Sequence, residues 1–233
     1  MGRSRAKACG DHEAIAVGES VKPLIKTTGR RIYRAGLRVL EARIDRRLHI
    51  DTLEAAPRRA HDPLARNAPY EPAPYVALKM ISRRLGFGPG DVICDAGCGK
   101  GRALCWFATL PVARCIGVDI DPALIDIARR NGSTLLGRQA PIEARAEDAL
   151  TTDMSGVTVL FLFNPFGAEV MRGLLDNFRA SLLQAPRDAT IIYLNPVQLA
   201  VFEDYPEFRI VERFNYLFGL LPTASGVVMR RAA

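Results

Sequence analysis

Histidine is scarce in this chain and is absent from its motifs. All three copies, His12, His49 and His61, precede residue 70. Reactions that need a built-in imidazole base are therefore disfavoured. Apolar runs are short: none approaches the ~20 residues of a membrane-spanning helix. The basic N-terminus is not followed by an apolar segment, and Ala6 stands where a myristoylation signal needs Ser or Thr. Neither a secretory leader nor a lipid anchor is expected. The five cysteines (Cys9, Cys94, Cys98, Cys105, Cys115) include no C-x-x-C pair. This argues against a zinc site or a disulfide framework and suits a reduced, cytoplasmic protein with small buried thiols. No G-x-S-x-G elbow, metal-ligand spacing or internal repeat is present, so no metal is expected.

The chain has 233 residues, 48% of them hydrophobic and 24% charged, enough for one α/β domain and an appendage. Its positive charge is confined to one end. Residues 1–66 hold 15 Lys and Arg against 8 Asp and Glu, whereas residues 67–233 hold 17 of each. The net charge of +7 therefore belongs to the N-terminal segment.

Three segments are expected. Residues 1–27 read as a disordered basic tail. Residues 28–69 read as a basic amphipathic helix followed by a proline-rich connector. Tyr33, Leu37, Leu40, Ile44 and Leu48 make the apolar stripe, with Arg30, Arg34, Arg38 and Arg46 mostly off it. Such a helix could bind nucleic acid, lie on an acidic partner or membrane surface, or cap the fold with a solvated face; the last is the commonest outcome. From residue 70 to 233 strands and helices alternate. Buried strands are expected at 92–95, 115–119, 142–146, 157–163 and 190–194, and helices at 74–86, 101–109, 122–131, 167–184 and 196–203. This order implies a Rossmann-like, mostly parallel α/β sheet. Phe208–Tyr216 and Gly226–Arg231 have no helix between them and read as a terminal antiparallel hairpin.

The richest stretch is Asp91–Asp119. A short strand ends in Asp95 and breaks into Gly97, Gly99 and Gly101; a second strand ends in Asp119. Glycines at a strand-to-helix turn let the backbone approach a ligand, and an acid at the next strand end can take ribose hydroxyls. The dinucleotide fingerprint needs a glycine where this chain has Arg102. A carboxylate at the loop mouth, Asp95, opposes a pyrophosphate and suits an ammonium group. Lys100 and Arg102, opening a helix, are expected to face solvent, and Trp106 to be core.

These residues resemble motif I of class I S-adenosylmethionine-dependent methyltransferases. The resemblance implies a seven-stranded sheet over about residues 70–231 and S-adenosyl-L-methionine as cofactor. It further implies that Asp95, Gly97, Gly99 and Gly101 wrap the methionine part, Asp119 holds the ribose and Ile120 lines the adenine. Glu147 and Asp148 match the acids that contact the adenine amino group, although Asp148 reads equally well as a turn or capping acid. At the end of the fourth strand, Asn164-Pro165-Phe166-Gly167 is similar to the Asn/Asp-Pro-Pro-aromatic motif of amino-group methyltransferases, with one proline in place of two. There an amide orients the acceptor nitrogen for in-line displacement and the aromatic ring stacks on the substrate. Asn164 and Phe166 are accordingly the expected catalytic residues, with Asn164 also against the cofactor.

A closer similarity is to bacterial relatives of the non-SET histone-lysine methyltransferases. It rests on Asn164–Val170 and on Tyr70-Glu-Pro-Ala-Pro-Tyr75, which occupies the place of that family's cofactor-covering loop; Ala73 replaces its hydroxyl residue. Tyr70 and Tyr75 are the expected lid, or ordinary core packing of a loop. The expected activity is methylation of a protein side-chain nitrogen, lysine favoured. Nucleic acid (through the basic arm) or a small molecule as acceptor, an inactive cofactor-binding scaffold, and a nicotinamide oxidoreductase stay open. The sequence does not give the oligomeric state.

Overall fold

The structure, a computed structural model, describes residues 36–53, 70–216 and 224–232. The expected tail at 1–27 and most of the proline connector lie outside these residues. The chain divides into two compact units, Met1–Leu40 and Glu41–Ala233. The described part of the first, residues 36–40, is helical.

The second unit begins with a helix over 41–48 (α1). The elements after it are α2 (Tyr75–Leu85), β1 (Val92–Ala96), α3 (Arg102–Phe107), β2 (Arg114–Asp119), α4 (Pro122–Thr134), β3 (Ile142–Ala146), β4 (Val159–Phe163), α5 (Ala168–Gln184), β5 (Ala189–Leu194), β6 (Arg209–Asn215) and β7 (Ser225–Arg231). Seven strands make one sheet in the order β3-β2-β1-β4-β5-β7-β6. β1 to β5 are parallel, and β7 is antiparallel to both β5 and β6. The Rossmann-like sheet and its antiparallel end agree with the sequence reading.

Local chemistry explains the element ends. α2 stops at Gly86, which takes the left-handed φ of 62° that a helix C-terminus favours. α4 starts where the Asp121 side chain accepts from the Ala123 N–H, with Pro122 in the first turn. α5 buries Met171, Leu174, Leu175, Phe178 and Leu182, an i, i+3, i+4 stripe facing the sheet. The helix expected at 196–203 is instead a 3₁₀ segment, Leu199–Asp204. Asn195, with a left-handed φ of 46°, and Pro196 turn the chain at the end of β5, so the segment starts only at Leu199.

Strand order reverses between β1 and β4. In a doubly wound sheet the carboxyl ends of the strands at such a reversal open into a crevice. The glycine loop and Asn164–Gly167 both leave their strands there.

Candidate functional site

The glycine loop is folded back onto the end of β2. Gly97 and Cys98 donate their N–H groups to the Val118 carbonyl (2.8 and 3.0 Å), and Gly99 N–H donates to Asp119 Oδ2 (3.0 Å). Gly97, Gly99 and Gly101 have φ of 78°, 53° and 79°, which side-chain-bearing residues adopt only with strain. Space is short as well. A Cβ on Gly97 would overlap Pro165, and one on Gly99 would lie 2.5 Å from the Tyr70 ring. The loop thus lets two protein side chains, Pro165 and Tyr70, approach its backbone. Gly101 serves packing: it precedes α3, and its Cβ would sit 3.1 Å from Ala128 on α4.

A cleft of about 410 Å³ opens at these strand ends, within the range of small-molecule sites. It is lined by Gly97, Gly99, Asp119, Ile120, Glu147 and Asp148 together with Tyr70, Asn164 and Phe166. Nine of the twelve residues expected at the site therefore share one cavity. Asp95 lines a smaller adjoining cavity that shares Tyr70, Glu71, Gly97 and Phe163 with the first. Gly101 and Tyr75 line neither.

The acids differ in their surroundings. Asp119 is 8% exposed and lines the cleft; its Oδ1 accepts from the Asp121 N–H and its Oδ2 from Gly99, both at 3.0 Å. Glu147 accepts from the Thr152 hydroxyl (2.7 Å). Asp148 closes a turn onto the Leu150 N–H (3.0 Å), so it fulfils the turn role while also lining the cleft. Ile120, 55% exposed, forms an apolar wall that no protein group covers. Asp95 is 4% exposed, and burial, opposed by the Leu104 N–H and reinforced by the charge of Asp119, pushes its carboxyl up to about 7. Glu71, Asp119, Glu147 and Asp148 line the main cleft, whereas no Lys or Arg does among the described residues.

Arg102 and Lys100 reverse the expectation of solvent-facing side chains: they are 1% and 2% exposed. Lys100 Nζ lies 5.8 Å from the Tyr70 ring centroid, and for Arg102 the reason is α1, whose inner face carries acids. Glu41 Oε2 lies 3.2 Å from Arg102 Nη1, and Asp45 Oδ2 lies 3.7 Å from Nη2. Arg102 Nε donates to Thr52 Oγ1 (2.7 Å), and the guanidinium stacks 4.8 Å from the Tyr75 ring centroid. Asp45 also accepts from the Thr52 N–H, the Thr52 hydroxyl and, at 2.5 Å, the Tyr75 hydroxyl. Tyr75, 2% exposed, is thus a core residue holding α1 rather than a lid. Tyr70 does reach the cleft, its hydroxyl tied to the Thr52 carbonyl (2.8 Å). Trp106 is half-buried and donates to Ser82 Oγ (3.0 Å).

Among the described residues, Arg102 Nη2 is the buried side-chain nitrogen or oxygen left without a hydrogen-bond partner. Arg102 lines the same small cavity as Asp95. A buried cation with an unused donor and a buried acid in one cavity suit a zwitterion. Sequence reasoning missed this group. The available signal was Glu41 and Asp45, two acids one helical turn apart in an arginine-rich helix.

The strand end at Asn164 is strained: φ is 41°, and the next residue is a proline. Asn195 repeats this at the end of β5, with φ of 46° before Pro196, and it also lines the cleft. It was not singled out in the sequence. The described cysteines, Cys94, Cys98, Cys105 and Cys115, are free and buried. No cluster among the described residues could hold a metal, and no helix among them is long and apolar enough to cross a membrane.

Residues 93–184 match a family model described as a methyltransferase domain. No curated protein matches the chain. Solved structures with similar folds include a ribosomal protein L11 methylase from Lactobacillus delbrueckii subsp. bulgaricus (15% identity, 68% of this chain and 77% of that one, TM-score 0.52). Another is a geranyl diphosphate C-methyltransferase from Streptomyces coelicolor A3(2), in complex with Mg2+, geranyl diphosphate and S-adenosyl-L-homocysteine (15% identity, 68% and 78% covered, TM-score 0.51). A third is an rRNA methylase from Streptococcus thermophilus (11% identity, 70% and 97% covered, TM-score 0.50). At these identities the likeness is one of fold.

Proposed function

Because the chain is an S-adenosyl-L-methionine-dependent methyltransferase of the class I type, we propose that it methylates an amine nitrogen of a protein side chain, with lysine the favoured acceptor. One observation carries this reading. The cleft that Asn164 and Phe166 line is also lined by Glu71, and no Lys or Arg lines it among the described residues. Such a site suits an approaching ammonium and disfavours a phosphate backbone. The similarity of Tyr70–Tyr75 and Asn164–Val170 to the non-SET lysine methyltransferases supports the same acceptor.

The residues present fit the cofactor. Asp95 and Arg102, whose Nη2 makes no hydrogen bond among the described residues, line one cavity of about 30 Å³ beside the cleft, a pairing that suits the ammonium and carboxylate of a methionine moiety. Asp119 lines the cleft at the end of β2 and suits ribose hydroxyls, Ile120 offers an exposed apolar face for adenine, and Glu147 and Asp148 offer acceptors for its amino group. When bound, the cofactor supplies a methyl group on a positively charged sulfur. The protein's part is then positioning. Asn164 Oδ1 accepts an N–H of the acceptor and thereby aims the nitrogen lone pair, Phe166 packs on the acceptor's apolar stem, and Tyr70 covers the loop. No His lines the cleft among the described residues, and an amine acceptor needs only to lose its proton before attack, which solvent can take. In this reading 70–233 is the methyltransferase domain, with 41–53 as its fixed cover, and the four buried free thiols suit a cytoplasmic location.

The test is transfer from radiolabelled S-adenosylmethionine into cell extract split into protein, nucleic acid and metabolite fractions. Label should enter protein. Asn164→Ala should keep cofactor affinity while transfer falls roughly a hundredfold, the scale of lost positioning. Label confined to nucleic acid or metabolites would overturn the acceptor, and unchanged transfer by Asn164→Ala would overturn the role of that residue.

A further inference from the structure

Two adjacent strands of the sheet end in the same dipeptide: β4 runs into Asn164-Pro165 and β5 into Asn195-Pro196. The strands pair in parallel, in register up to Phe163 and Leu194. The two asparagines therefore occupy the next register position, on strands ~4.8 Å apart. Both have left-handed φ, both are half-buried and both line the cleft.

A structural reason for an asparagine at such a φ is a local turn in which its side chain accepts a backbone N–H two residues on. Asp121, Asp148 and Asp153 make that bond in this protein. Neither Asn164 nor Asn195 does, and their carboxamides have no hydrogen-bond partner among the described residues. The backbone of Asn195 is fully used: its N–H donates to the Ser225 carbonyl and its own carbonyl accepts from the Val197 N–H, both at 2.8 Å. Tyr193 on β5, two residues earlier, holds the same turn, its hydroxyl accepting from the Gln198 N–H (3.1 Å). These bonds fix the turn without the Asn195 amide, and the residue lines the cavity.

We propose that Asn195 is a second positioning residue for the acceptor nitrogen, and that with Asn164 it selects a primary amine. The inference rests on the amine reading given above. A neutral primary amine carries two N–H bonds and one lone pair. Two amide oxygens on adjacent strand ends accept both hydrogens, and the lone pair is left as the free direction. An acceptor with a single N–H would leave one half-buried amide oxygen unpaired, which costs more than a merely absent contact.

The test needs no identified acceptor. Sinefungin is an analogue of S-adenosylhomocysteine in which a carbon bearing a primary amine replaces the sulfur, so it places an amine where acceptor and cofactor meet. Calorimetry would compare its affinity with that of S-adenosylhomocysteine for the full chain and for Asn164→Ala, Asn195→Ala and Asn195→Gly. The glycine variant accepts the left-handed φ and removes only the amide, so it reads out even where the alanine variant is unstable. Asn195→Gly should lose sinefungin affinity roughly ten- to a hundredfold, the worth of a hydrogen bond to a charged group, with S-adenosylhomocysteine changed less than about twofold. The N,N-dimethyl form of sinefungin, with one N–H when charged, should bind the wild type more weakly than sinefungin, and Asn195→Gly should erase that gap. If Asn164→Ala loses the preference and Asn195→Gly does not, the second amide is overturned and the amine reading stands. If neither loses it, both fall. Equal weakening of sinefungin and S-adenosylhomocysteine by Asn195→Gly would make the residue structural and overturn the inference.

Discussion

Cofactor binding should release a proton at pH 6. Asp95 is 4% exposed and its carboxyl is pushed up to about 7, so without cofactor roughly nine of ten molecules hold it neutral at pH 6 and one of ten at pH 8. An ammonium placed against it restores the charge and expels the proton. Titration calorimetry in buffers of different ionisation enthalpy should therefore show release of nearly one proton at pH 6. Near pH 8 the sign should reverse, because the cofactor's own amine, with a free pKa of about 7.7–8, must take up a proton to bind. Affinity should rise about tenfold between pH 5 and 6, level off near 7 and fall above 8. Stability of the cofactor-free protein moves the other way. The folded pKa is above the unfolded value of about 3.9, so the folded state holds this proton more tightly. That contribution is full below pH 4 and is lost as pH rises to 7, by about 4 kcal/mol at ~1.4 kcal/mol per unit. Asp95→Asn should abolish the release, flatten the stability profile and weaken cofactor binding. No net proton at pH 6, or the same release from Asp95→Asn, would refute this account of Asp95.

Three further outcomes follow from the packing. Arg102→Gln leaves Glu41 and Asp45 without their cation and should cost about 3–5 kcal/mol in urea unfolding as well as cofactor affinity; a loss below ~1 kcal/mol would show that the network carries little. Gly99→Ala should destabilise the protein because its Cβ meets the Tyr70 ring, and pairing it with Tyr70→Ala should recover ~1 kcal/mol or more in a double-mutant cycle, though not the φ strain. Without recovery, the ring is not what the glycine accommodates. Burial pushes the Cys94, Cys105 and Cys115 thiols up to about 12 and also raises the Cys98 thiol well above its usual range. These four should resist a thiol reagent at pH 8 until the protein is unfolded, and rapid native modification would contradict their burial.

The sheet was legible because its strands are short apolar runs between glycine- and proline-marked turns, and because a helix separates each parallel pair. The wall formed by Gly97, Gly99, Asp119 and Ile120 could be read for a related reason: strand ends are fixed by the chain itself. What lay hidden depends on elements distant in sequence. Arg102 looked like a solvated helix-opening residue, and only α1, some 60 residues earlier, supplies the acids that bury it. In α1 an apolar stripe was read, yet its most buried residue is Asp45, and hydropathy periodicity cannot register a helix that docks through charge. Asn195 escaped notice because an Asn-Pro pair after a strand is ordinary turn chemistry. Its meaning comes from the identical pair beside it, a relation set by strand register.

Placing β7 between β5 and β6 has a consequence for the chain during its synthesis. When β5 has left the ribosome, its outer edge has no partner, and β6, which is made next, does not pair with it. Only residues 225–231 close that edge. Until they emerge, a strand whose Ile191, Ile192, Tyr193 and Leu194 are wholly buried in the finished fold stands open to any passing strand. A premature stop between 216 and 225 would therefore produce a sticky fragment that chaperones must hold, rather than a slightly shortened enzyme.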